Sequence, residues 1–153
     1  MRNSCYRRCA VCLCIVLLSS ACTPSISSDL SANEHRRLWL ANAQSYDFTF
    51  RQSCYCLPDY RRPMRVSVRE GQINSAQFVD DATNVPGSML KDLFTVNAVF
   101  DAILSAQSQT VESIRIEFDA HQHYPKEVQI DFDKRIADDE IHWLLSDLEL
   151  HAN

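Results

Sequence analysis

The chain has 153 residues, a formal net charge of −5 and only two glycines. That length allows one domain with a real core. The acidic balance argues against nucleic acid or anionic lipid headgroups as partners, and two glycines cannot build a glycine-rich phosphate cradle.

The chain opens on an export pattern. Met1–Cys9 carries Arg2, Arg7 and Arg8 and no acid, Ala10–Leu18 is apolar, and the small residues Ser19, Ser20 and Ala21 lead to Cys22. A basic start, a short apolar core and a small-residue exit are the marks of a secretory signal. The apolar run is far shorter than the roughly 20 residues that cross a bilayer as a helix. Ser-Ser-Ala-Cys resembles the bacterial lipobox, whose cysteine sulfur receives a diacylglyceryl group and becomes the new N-terminus. Ser19 stands where leucine is usual, with Leu18 one place further back. The expectation is a signal peptide over residues 1–21 and a membrane anchor through lipid on Cys22; the alternative is ordinary cleavage near Ala21, leaving Cys22 a free thiol. Thr23, where an aspartate would signal inner-membrane retention, points to the periplasmic face of the outer membrane. Removing residues 1–21 leaves 132 residues with 12 basic and 20 acidic side chains, a net charge of −8.

Residues 22–30, rich in serine and containing Pro24, read as a lipidated flexible tether. One domain is expected over residues 31–153. Ser31-Ala32-Asn33-Glu34 fits a capping box, predicting a helix to about Ala43 that buries Leu38, Trp39 and Ala41. Tyr46, Phe48 and Phe50 alternate with Asp47, Thr49 and Arg51, the period of a half-buried strand. Val66 and Val68 predict a second strand, and Glu70-Gly71 a tight turn into a third near Gln72–Val79, with Gly71 supplying a positive φ. Asp80–Met89, with Pro86-Gly87, reads as loop. Thr95 can cap a helix whose Val96, Val99, Phe100 and Ile103 share one face, fading near Ala106. Ile114, Ile116 and Phe118, then Val128, Ile130 and Phe132, predict a hairpin across His121–Pro125. In the tail, Ile141, Leu144, Leu145 and Leu148 suit a helix, while Ile141, Trp143 and Leu145 suit a strand. Consecutive hairpins with two helices imply an α+β domain: an antiparallel sheet of five to six strands, two helices packed on one face.

The domain resembles the domain of unknown function 6174 family, small bacterial lipoproteins. The resemblance rests on Trp39 before Asn42, Tyr46-Asp47-Phe48-Thr49-Phe50, Cys54-Tyr55-Cys56 with Pro58, and Val66-Ser67-Val68 before Gly71. It continues through Thr95-Val96, Phe100, Ile103, Phe118-Asp119, Tyr124-Pro125, Ile130-Asp131 and Ala137-Asp138-Asp139-Glu140. His123 departs from the pattern, standing where glycine is expected before Tyr-Pro. The resemblance implies an envelope location, this fold class and a strand for the tail; it implies no activity.

Cys5, Cys9, Cys12 and Cys14 fall in the export signal, so the domain itself holds only Cys54 and Cys56, in a compartment that permits oxidation. Side chains two apart on an extended strand lie about 7 Å apart, and a disulfide wants Cβ atoms about 4 Å apart, so bonding them requires a bend. Three readings stand: a structural cross-link, a disulfide that exchanges with partners, and a thiolate pair sharing a soft metal. His121 and His123 flank Gln122 beside Asp119, with Asp131 and Asp133 on the next strand; they are weak candidates for a divalent ion, against the plainer reading of a solvated turn. Asp138-Asp139-Glu140 lacks calcium-loop spacing. Charge is uneven: residues 34–70 hold seven basic and four acidic side chains, residues 111–153 four and eleven. No Gly-x-Ser-x-Gly or His-Glu-x-x-His occurs, and no cofactor or catalytic set is nominated. The expectation is a non-enzymatic envelope module that binds a protein or other envelope component through its sheet or acidic face. The alternative is a thiol-redox or metal-handling role of Cys54-Tyr55-Cys56, with a small enzyme placed last.

Overall fold

The computed structural model describes residues 30–40, 44–136 and 139–151. The expected signal peptide, Cys22 and the tether to residue 29 lie outside the described residues, as do residues 41–43 at the end of the first predicted helix and residues 137–138. Among the described residues no helix is long and apolar enough to cross a membrane.

Helix α1 spans Ala32–Leu40. It begins where the capping box requires: Glu34 N donates to Ser31 Oγ at 3.3 Å, and Ser31 N donates back to Glu34 Oε2 at 2.8 Å. Strand β1 (Tyr46–Ser53) follows, then a 3-10 turn over Pro58–Arg61. Strands β2 (Met64–Arg69) and β3 (Gln72–Phe78) form a hairpin. Its turn places Glu70 at φ 52° as well as Gly71 at φ 76°; two positive φ values mark the primed turn that matches strand twist. The segment read as loop holds a four-residue helix, α2 (Gly87–Leu90), that buries Met89. Helix α3 (Val96–Gln107) starts on the Thr95 cap, whose Oγ1 accepts from Ala98 N at 3.1 Å. Strands β4 (Ser113–Phe118) and β5 (Pro125–Asp131) make the predicted hairpin, and the tail is strand β6 (Ile141–Leu150).

All six strands form one antiparallel sheet in the order β3-β2-β1-β6-β5-β4. The last strand thus closes the centre, pairing Phe50 with Leu145 on one side and Val128 with Trp143 on the other. One face carries Tyr46, Phe48, Phe50, Val66, Val128 and Trp143, all buried. Against it lie Val96, Val99, Phe100 and Ile103 of α3 and Trp39 of α1. Burying each such side chain contributes about 1.5–3 kcal/mol, which is why period-two aromatics and a period-3.6 apolar stripe were strong signals. Ile114, Ile116 and Phe118 are only half-buried because β4 is an edge strand.

Two polar links stitch the helices to the sheet. Val96 N donates to Tyr46 Oη at 3.0 Å, and Trp39 Nε1 donates to Asn97 Oδ1 at 2.9 Å. Burial pushes the Tyr46 hydroxyl pKa up to about 12, so it stays a neutral acceptor for the first amide of α3.

Candidate functional site

Strand β1 runs past the edge of β2 and ends at Ser53, where the chain bends sharply. The sulfurs of Cys54 and Cys56 are bonded, with Cα atoms 5.3 Å apart; an extended chain would hold them about 7 Å apart. The bend throws Tyr55 outward, 93% exposed, and Leu57 after it is 71% exposed. Pro58 then starts the 3-10 turn, in which Tyr60 N donates to Leu57 O at 3.0 Å.

The base of this tip is fastened to the rest of the domain. Tyr60 Oη donates to Asp92 Oδ2 at 3.0 Å, an acceptor that raises the phenol's pKa. Arg62 donates to Asp80 and to Asp81, and its guanidinium carbon sits 3.7 Å above the Phe78 ring. Thr83 hydrogen bonds, with Arg62 beside them, lower Asp81 to about 2, so the pair is ionised at any ordinary pH. Cross-link, prolyl turn and ion pairs thus brace the backbone of a tip that presents two large apolar side chains to water.

Beside the tip lies an open groove of about 290 Å³ lined by Arg51, Gln52, Ser53, Arg61, His142 and Leu144. It forms on the uncovered sheet face, where Ser53 pairs with His142 and Arg51 with Leu144 across β1 and β6. His142 Nε2 and Glu127 Oε1 lie 2.9 Å apart. Three cations of this face are answered by acids: Arg65 by Glu149 at 3.0 Å, Arg69 by Asp47 at 2.7 Å, Lys126 by Glu117 at 2.6 Å. Arg51, Arg61 and, on β4, Arg115 form no ion pair with a carboxylate among the described residues, and of these Arg51 and Arg61 share this groove. Neither was singled out in the sequence; only the basic excess of residues 34–70 hinted at them.

The histidines of the β4–β5 turn do not converge. Asp119 is occupied by the turn: its Oδ1 accepts from His121 N at 2.9 Å and Gln122 N at 2.7 Å, contacts that lower its pKa. His121 is exposed, whereas His123 turns inward with its ring 5.3 Å from that of His35 on α1. Asp133 pairs with Arg135. Among the described residues no three His, Cys, Asp or Glu side chains gather to hold an ion. His123 adopts φ 64°, the left-handed conformation that glycine takes without cost, so the turn keeps a glycine-like backbone with an imidazole on it. His35, missed in the sequence, stacks on Phe118 with centroids 4.0 Å apart. Burial and then His123 hold the His35 imidazole below its ordinary pKa, and Nδ1 of both rings is buried with no hydrogen-bond partner.

A helix-backed single sheet with a disulfide-closed tip defines a small α+β domain, its chemistry-bearing side chains on the open face and at one end. The chain belongs to the family of unknown function DUF6174, which matches residues 31–150. No curated protein and no solved structure matches it.

Proposed function

We propose that this protein is a bacterial envelope lipoprotein, anchored through Cys22 at the periplasmic face of the outer membrane, whose domain is a non-enzymatic module that docks an envelope protein. The observation that carries the binding role is the tip. Tyr55 and Leu57 stand exposed on a braced, cross-linked turn, and a rigid aromatic costs little conformational entropy when a partner covers it. The address rests on the export pattern that ends at Cys22, and the bonded cysteine pair suits an oxidising compartment. Mass spectrometry of native protein should find residues 1–21 removed and acyl chains on residue 22; retention of Met1–Ala21 would overturn the address. A photo-crosslinking side chain at position 55 should give a discrete adduct in the intact envelope, and one at exposed Asn74 on β3 should not. Equal labelling from both positions would overturn the docking role.

A second reading is favoured by one observation: Cys54 and Cys56 are half-exposed on a turn where another thiolate could reach them. In a thiol-redox role, an attacking thiolate would form a mixed disulfide with one sulfur and release the other as thiolate. Thiol counting in glutathione buffers tests this. A pair that stays oxidised across physiological ratios, with Cys54→Ser leaving the position-55 adduct intact, removes the redox reading.

A further inference from the structure

We propose that the groove between Arg51 and Arg61 is a carboxylate-binding subsite, so that the docking partner is an acidic peptide segment with an apolar side chain next to its acid. This rests on the docking role of the tip and names the partner's chemistry.

The argument starts from charge. In a domain rich in acids, three cations of the open face already hold a carboxylate; of the three guanidiniums that do not, Arg115 lies in the adjoining groove, and Arg51 and Arg61 are brought to one groove by β1 and by the turn after the tip. An incoming carboxylate displaces no internal acid there, and guanidinium forks favour planar, paired hydrogen bonding. Ser53 and Gln52 add polar groups on the same wall, and Leu144 is a half-buried apolar floor. Tyr55 and Leu57 are exposed on the turn that joins Ser53 to Arg61, two residues of the groove wall, and so offer apolar surface to the same peptide. The groove is therefore matched to an acid flanked by an apolar residue.

Position separates a peptide from a lipid surface. Helix α1, which leads back to residue 30, stacks His35 on Phe118 at the hairpin end of β4. Ser53 and the tip leave the opposite end, level with His142, Gln129 and Arg115. The chain thus enters the domain at the end away from the groove. The adjoining groove on the same face carries Asp131 and Glu140 beside Arg115; those acids would repel a broad anionic surface and leave a narrow strand of peptide unaffected.

The test uses the full chain in detergent micelles and two dye-labelled probes, one of alternating leucine and glutamate, the other with glutamine for each glutamate. The glutamate peptide should bind about tenfold more tightly, with affinity falling as salt rises. Arg51→Gln with Arg61→Gln should abolish that preference, and Arg115→Gln should keep it; both arginines are exposed, and an unchanged melting temperature confirms the fold. Equal binding of the two peptides, no binding of either, or a preference that survives the double substitution overturns the inference. So does tighter arginine-dependent binding to phosphatidylglycerol vesicles than to the peptide, which would make the site a lipid contact. The position-55 adduct keeps the two ideas apart: if it survives Arg51→Gln with Arg61→Gln, the docking role stands and the acidic partner falls.

Discussion

Tyr46→Phe tests the link between the first strand and the helix that covers it. Tyr46 is fully buried, and its hydroxyl oxygen accepts from Val96 N at 3.0 Å. Val96 is the first residue of α3, so its amide lacks an intrahelical acceptor. Deleting the hydroxyl leaves the ring's packing on Trp39 in place, edge-on at 5.0 Å. The loss is then that of one buried donor left without a partner, about 1–3 kcal/mol. For a domain of this size that corresponds to a fall in Tm of roughly 3–10 °C. Urea unfolding should show a lower midpoint with an unchanged m-value, because the same surface is exposed on unfolding. Hydrogen exchange should quicken at the Val96 amide before it quickens in β1. A loss below about 0.5 kcal/mol, or an exchange change spread evenly over the sheet, would refute the view that this bond seats the helix.

Lowering the pH through the imidazole range should cost stability by way of His35. Its folded pKa is depressed, so below the ordinary value near 6.5 the unfolded chain binds the proton first and stability drains as pH falls. Thermal melts at pH 7.5 and 5.5 should differ more for the native chain than for His35→Phe, which keeps the stack on Phe118; equal differences would reject the assignment. At position 123, where φ is 64°, His123→Val should be the less stable of two substitutions and His123→Gly the more, by about 1–2 kcal/mol in chemical denaturation; the reverse order would mean that the imidazole stabilises the turn. Replacing both Cys54 and Cys56 by serine should cost no more than about 1.5 kcal/mol, since so short a loop restrains little unfolded-state entropy. The same change should sharpen and narrow the amide signals of Tyr55 and Leu57 as the tip loosens; a rigid tip without the bond would show that Pro58 and the Arg62 ion pairs suffice.

Much of the fold is legible because the core residues repeat with the period of their own element. Tyr46, Phe48 and Phe50 alternate and form β1; Val96, Val99, Phe100 and Ile103 recur at helical spacing and form α3. Both predicted caps, Ser31 and Thr95, rest on contacts within one helical turn, so neighbours in sequence suffice to place them. Four features were not readable this way. The short helix at Gly87–Leu90 exists because Met89 finds the core, a contact no local pattern announces. The pairing of His35 with His123 and the meeting of Arg51 with Arg61 join distant positions, each bland in its own neighbourhood. The left-handed backbone at His123 was foreshadowed only by the family pattern, which wants glycine there.

The tail shows where sequence stops and tertiary structure takes over. Ile141, Trp143, Leu144, Leu145 and Leu148 satisfy a helix and a strand alike, so hydrophobic period leaves the segment undecided. What settles it is vacancy on both sides: β1 and β5 each present an unpaired edge, and β6 enters between them and hydrogen-bonds to both. By itself the sequence determined the elements whose burial pattern is local, the antiparallel hairpins and the two helix starts. Only the assembled sheet decided the strand order, the central place of the last strand and the row that sets Arg51 and Ser53 against Leu144 and His142, because those depend on backbone groups far apart in the chain finding each other.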